Sequence, residues 1–263
     1  MSLIDPLGVL LFSGTLVSLL GFLLSVAEHP QWPLLPATAV LGVGLVAWGL
    51  RARAPFLDVR GFVANPALAG VLGQQTAINV IFYAASFGLP MWLLEFRRLP
   101  VQEVGLIMLP LAALGVLVTP PAARLVSRFG ARLPLAVGSV GLVAGSLLLL
   151  TLGERTPVEV LVAATAVLGL PNGLNNMGLQ AALYTATPAD QMGIAAGLFQ
   201  TARYVGAMLS TALLGLVLEP SMNAAGLHRI AVVMTVLAAL LVVASLAHGQ
   251  QPARRAAGAD RQG

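Results

Sequence analysis

Runs of about twenty apolar residues recur along the whole chain, and a run of that length crosses the ~30 Å hydrocarbon core of a bilayer as a helix. Eight such runs can be drawn, at 6–27, 34–50, 66–93, 103–123, 133–152, 157–184, 190–218 and 228–248, the second being the shortest. The composition says the same. Of the 263 residues 58% are apolar and 9% charged, with a mean hydropathy of +0.90. Soluble domains carry about 25% charged residues, so an ordinary water-soluble fold is excluded. The fold class expected is all-α, a polytopic membrane protein with about eight transmembrane helices.

The charges are few, and the short breaks between the runs and the run ends carry nearly all of them. All 14 basic residues are Arg, against 10 acidic ones, so the pI near 10.6 reflects a small excess on a mostly uncharged chain. Nucleic-acid interfaces need dense basic clusters, and none is expected here. With no Cys there are no disulfides or thiolate sites. The first apolar run lacks a basic segment before it and exceeds a signal-peptide core in length, so it is expected to be a retained span. Counted on alternate sides, Arg51, Arg53, Arg60, Arg124, Arg128, Arg132, Arg254, Arg255 and Arg261 fall with the termini. Only Arg97, Arg98, Arg155 and Arg229 fall opposite. Positive charge marks the inner face, which predicts both termini in the cytoplasm of a cell whose plasma (inner) membrane holds the chain.

Helix starts are also written in the sequence. Asn65-Pro66 offers an N-cap followed by Pro at the first helical position; Thr156-Pro157-Val158-Glu159 and Thr187-Pro188-Ala189-Asp190 offer capping-box variants. Residues 51–64, Arg alternating with Phe56, Leu57 and Phe62, suit a segment on the membrane surface. This connection divides the chain into two leading spans with their interfacial segment (1–64) and a run of six spans (65–248). Residues 249–263 have no apolar periodicity and are expected to be a disordered tail.

Polar residues inside the runs form stripes. Gln75, Asn79 and Tyr83 fall at i, i+4 and i+8 in the third span, and so do Asn172, Asn176 and Gln180 in the sixth, with Asn175 beside them. In the seventh, Gln200, Arg203 and Tyr204 fall at i, i+3 and i+4. Such spacing puts side chains on one helical face. Taken singly, each amide reads first as interhelical glue, worth under about 2 kcal/mol. Three stripes on separate helices point to a shared polar cavity. Arg203 lies ~20 Å into its span from Asp190, too deep to snorkel, so a partner, cavity water or substrate must meet its charge. The fifth and eighth spans hold only small hydroxyls and are expected to face lipid. No acid lies mid-span, which leaves this chain by itself without an evident proton carrier. Pro171 between Gly169 and Gly173 suggests a kink. No His lies mid-span to activate a Ser, no metal-spaced cluster exists and no phosphate loop is present. Neither an enzyme nor a metal or cofactor site is expected.

The segment Ala123-Arg124-Leu125-Val126-Ser127-Arg128-Phe129-Gly130-Ala131-Arg132 resembles the Gly-x-Leu-x-Asp-Arg-x-Gly-x-Arg signature of the major facilitator superfamily, which joins the second and third helices of each six-helix half. Residues 99–110 are similar to the entry of that second helix in drug exporters, and 196–206 to their penultimate helix. The Pro-Phe-Leu-Asp-Val-Arg connection after two spans is similar to the fourteen-span drug:proton antiporter branch. The resemblance implies two linker-type helices followed by a C-terminal half-bundle. It implies export of amphipathic, cationic or neutral organic compounds by proton antiport, with a separate N-terminal half or a second copy as partner. Gln75, Asn79, Tyr83, Asn172, Asn176, Gln180, Gln200 and Arg203 would line its side of the cavity; Arg124, Ser127, Arg128, Gly130 and Arg132 would form the signature loop. Ala123 and Ser127 depart from the signature Gly and Asp, and the acid that would brace the loop is missing. That departure keeps open a second reading, a non-transporting remnant or scaffold subunit.

Overall fold

The computed structural model describes residues 5–25, 29–52, 65–218 and 223–247. Most of the connection at 51–64 and all of the tail at 249–263 lie outside the described residues. Two helices come first, α1 (Pro6–Ser25) and α2 (Leu34–Gly49). They pair through the Ser18 and Thr38 hydroxyls, 2.9 Å apart, and through the Trp48 indole, which donates to the Asp5 carboxylate at 3.0 Å.

Six further passes follow. The first joins α3 (Pro66–Tyr83), a π turn (Ala84–Gly88) and α4 (Leu89–Glu95); the second joins α5 (Val101–Leu117) and α6 (Thr119–Phe129). The others are α7 (Arg132–Leu149), α8 (Val158–Ala186), α9 (Met192–Val217) and α10 (Ala224–Ala247). The π turn has a local cause. Pro90 has no N–H to donate, and its ring would strike the carbonyl four residues back in a regular helix.

Among the described residues, six helical passes are long and apolar enough to cross a membrane. The other two of the eight runs fall short for opposite reasons. α2 has 16 residues, while α9 has 26 but carries Gln200, Arg203 and Tyr204.

Inside the six-pass unit α3 packs on α9, α5 on α8, and α7 on both α8 and α10, while α3 also touches α8 and α10. Glycines set the close crossings. A Cβ on Gly169 would lie 2.7 Å from the Leu111 carbonyl oxygen, and one on Gly173 would lie 2.7 Å from that of Gly115. On its other side α8 presses Pro171 against Gly141 and Leu168 against Gly145. The Gly-Leu-Pro-Asn-Gly stretch lies inside α8, which is helical from Val158 to Ala186, and its glycines serve the crossing with α5. The expected lipid-facing pair, α7 and α10, pack on each other with Ser139 and Ser245 hydroxyls 3.2 Å apart. Their outer faces expose Val140, Leu147, Val236 and Val243.

Of the three predicted caps one forms. The Asn65 side chain accepts from the Leu68 N–H at 3.1 Å and donates to the Ala186 carbonyl at 2.7 Å, pinning the start of α3 to the end of α8. Asn65→Ala is expected to cost about 1 kcal/mol, the usual worth of such a cap, read as a lowered Tm in detergent. The Thr caps do not form. Pro157 takes the N-cap position of α8, so Thr156 stands one residue too early and its hydroxyl instead accepts from the Gly153 N–H. Residues Ala189–Gln191 make a 3₁₀ turn, which moves the start of α9 to Met192 and leaves Thr187 outside the helix.

At the end of the bundle opposite Asn65 the connections are stitched together. Arg97 donates to the Gly153 and Thr156 carbonyls at 2.8 and 3.0 Å. His228 Nε2 lies 2.8 Å from the Leu152 carbonyl. The Trp92 indole donates to the Asn223 carbonyl at 3.2 Å.

Candidate functional site

The contacts between α3 and α9 fix their register. Thr76 donates its hydroxyl to the Ala202 carbonyl at 3.2 Å. One turn on, Gly206 lies against Asn79 and the Thr76 carbonyl, and further on Gly88 meets Leu214. Residue numbers rise together along both helices, so they run parallel. At 3.6 residues per turn, Gln75 and Arg203 fall on the same flank of that contact, and Asn79 lies between them and the seam.

The Asn65–Ala186 bond fixes the depth of α8. Running antiparallel from that point at 1.5 Å per residue, Gln75 and Asn176 lie level at ~15 Å, and Asn79 and Asn172 level one turn deeper. Ala202 is tied to Thr76, so Arg203 shares this layer. Amides and the guanidinium from α3, α8 and α9 thus occupy one slab of the bundle. In α3 the stripe is covered: Gln75 is 1% exposed and Asn79 7%. The Asn79 amide donates to the Gln75 backbone carbonyl at 2.8 Å. Neither polar atom of the Gln75 side chain has a partner among the described residues. Tyr83 is half-buried, its ring 5.7 Å from that of Phe87 at an interplanar angle of 20°.

The α8 stripe faces outward more. Asn172 and Asn176 are half-buried, and the Asn176 amide donates to the Asn172 backbone and side-chain oxygens at 3.0 and 2.9 Å. Asn172 also lies against α5, where a Cβ on Gly115 would stand 3.2 Å from its Nδ2. Gln180 is exposed. Asn175, beside the stripe in sequence, is turned away and packs against Gly138 of α7. On α9, Gln200 and Tyr204 are exposed and Arg203 is half-buried. Arg203 makes no hydrogen bond or ion pair among the described residues.

Two aromatic residues continue these stripes and were missed in the sequence. Tyr184 lies four residues beyond Gln180 and is 61% exposed; Phe87 lies four beyond Tyr83 and is 54% exposed. Extending the i, i+4 spacing by one more turn finds both.

The signature segment departs from the loop expected of it. Residues Thr119–Phe129 are helical, and only Val118 separates them from α5. The apolar side of this amphipathic turn, with Ala122 buried, packs toward α8, while Arg124, Ser127 and Arg128 are exposed. The Ser127 hydroxyl donates to the Arg124 carbonyl within the same helix, so it braces no neighbouring helix. Gly130 ends α6 at φ 71°, a left-handed conformation that favours glycine. Arg132 opens α7 and, with Gly130, lines a cavity of about 360 Å³ walled by Ala67, Val71, Leu135 and Ala182. No metal-holding cluster of His, Asp or Glu occurs among the described residues.

Residues 6–211 match the sequence model of the Major Facilitator Superfamily. The uncharacterized MFS-type transporter YwoD of Bacillus subtilis is 33% identical over 237 residues, covering 89% of this chain and 52% of the relative. Multidrug resistance protein Stp of Mycobacterium tuberculosis is 29% identical over 232 residues, 84% of this chain and 42% of the relative. The tetracenomycin C resistance and export protein of Streptomyces glaucescens is 26% identical over 222 residues, 81% of this chain and 40% of the relative. The chain spans about half the length of these relatives.

Proposed function

Because this chain belongs to the major facilitator superfamily, we propose that it forms one side of a membrane carrier that exports small amphipathic organic compounds. The observation that carries this is the polar slab itself: Gln75, Asn79, Asn172, Asn176 and Arg203 at one depth of an otherwise apolar bundle. Polar groups at that depth are costly and commonly mark a substrate path. Gln180, Gln200 and Tyr83 extend the lining toward either end. Residues 65–248 act as a six-helix half, and the two leading helices with the connection up to 64 are an appended unit. Carriers of this kind rock one repeat against another around a midplane site. The opposing half is a separate N-terminal partner, or a second copy of this chain. If export is driven by proton antiport, the opposing side must supply the acid, since no span of this chain holds one at mid-depth. Arg bias puts both termini in the cytoplasm, with the plasma membrane as the site of action. The names of the exporting relatives support a drug-like or antibiotic cargo.

The exposed Ser127, bonded only within its own helix, favours a second reading, a scaffold subunit that carries nothing. Dye accumulation in cells lacking their main efflux pumps separates the two. Expression of the chain with its partner half should lower accumulation, and Arg203→Ala should abolish at least nine-tenths of that effect at equal membrane abundance. Unchanged efflux in the variant would take Arg203 out of the site. No efflux from the parent would favour the scaffold.

A further inference from the structure

We infer that Gln75 and Arg203 form an anion-recognising corner, so that the compounds handled by this chain carry a carboxylate or sulfonate group rather than a positive charge. The inference rests on the carrier reading above and sharpens its substrate class, against the cationic or neutral cargo that the family resemblance implies. Four observations converge. Arg203 is half-buried on α9 and makes no hydrogen bond or ion pair among the described residues. Asp190, the nearest acid along its own segment, stands thirteen residues away, ~20 Å along a helix. The third pass has Glu95 at its far end as its one acid, twenty residues from Gln75. Finally, Gln75 is 1% exposed with neither Oε1 nor Nε2 bonded among the described residues, and it falls on the same flank of the α3–α9 contact as Arg203.

A guanidinium in a low-dielectric layer with no counter-charge from the described residues of its own chain sets up a strong positive field on this side of the carrier. A cation brought there is repelled, whereas a carboxylate accepts two parallel N–H bonds from the guanidinium fork. The free Nε2 of Gln75 adds a donor from the neighbouring helix. Seating an anion there would engage an amide whose lack of a partner is otherwise a standing cost. The Asn79 amide, already donating to the Gln75 backbone, holds the floor of this corner.

Fluorescein and rhodamine 123 share a xanthene core and carry opposite charge at pH 8, so the pair isolates charge from shape. Their binding to the full chain in phosphatidylcholine nanodiscs, whose zwitterionic surface sorts neither dye, is measured by fluorescence anisotropy. Fluorescein should bind at least tenfold more tightly than rhodamine 123. Arg203→Gln should weaken fluorescein at least tenfold and erase the preference, Arg203→Lys should keep it, and Gln75→Leu should weaken fluorescein severalfold. Rhodamine 123 bound as tightly as fluorescein, or an Arg203→Gln chain that keeps the preference, overturns the charge rule while leaving a binding cavity in place. A folded, monodisperse chain that binds neither dye overturns the anion-recognising corner, while the carrier reading, which needs an opposing half, stands on the efflux measurement.

Discussion

Replacing Gly169 by valine is expected to cost about 3 kcal/mol, the upper end of what forced overpacking takes from a well-packed interior. Backbone stands in the way. A Cβ at Gly169 would come within 2.7 Å of the Leu111 carbonyl oxygen, 2.8 Å of the Pro110 oxygen and 2.9 Å of the Leu111 Cα. A flexible side chain could swing aside from such an intrusion. Here the helices α5 and α8 themselves must part, and with them the Gly173–Gly115 approach one turn further on. Asn172, which lies against the same turn of α5, would be carried out of the polar slab. Gly197→Ala is the matched control, because a Cβ there meets nothing within 4 Å. Helix propensity alone then favours the alanine by up to about 1 kcal/mol. Thermal unfolding of both variants in detergent checks the pair, and a Gly169→Val protein melting beside the parent would refute the crossing geometry.

Trp92→Ala should cost about 3–5 kcal/mol, the range for emptying a buried large aromatic site. The side chain is fully buried in α4, its rings 5.4 Å from Phe96, and its indole N–H donates to the Asn223 carbonyl. It therefore holds the end of the third pass against the connection before α10. Trp92→Phe keeps most of the apolar volume and drops the hydrogen bond, so roughly 1 kcal/mol should be lost from that bond, with a further part from the smaller ring. Unfolding midpoints for the two variants should differ clearly. Equal losses would mean that the indole N–H, and not the packing, holds this end of the bundle.

Much of the architecture could be read before any coordinates. All eight apolar runs became helices whose ends agree within a few residues over most of the chain, and the Asn65 cap formed as read. The exceptions have local causes. The fourth run continues to Phe129 because Arg124, Ser127 and Arg128 occupy one face of an amphipathic turn; they interrupt the apolar run without interrupting the helix. The Thr156 and Thr187 caps failed because each Pro stands where the capping residue should, which places the hydroxyl outside the helix. The aromatic ends of the stripes, Phe87 and Tyr184, were within reach of the same spacing that found Tyr83 and Gln180.

The candidate site was legible as three stripes and no further. Nothing in the order of residues says that Asn175 turns into α7 while Asn172 and Asn176 stay at the open side of α8. It also does not say that Gln75 is covered while Gln200 and Gln180 stand exposed.

The division has a physical basis. Hydrocarbon acts on each segment separately, demanding length and apolar character from it alone, so the apolar helices and their approximate ends were already determined by the order of residues. Which face of a helix meets which neighbour depends on residues a hundred positions apart, such as Gly206 against Thr76 or Gly169 against Leu111. Those crossings, with the Asn65–Ala186 and Thr76–Ala202 bonds, decided which amides share a layer with Arg203.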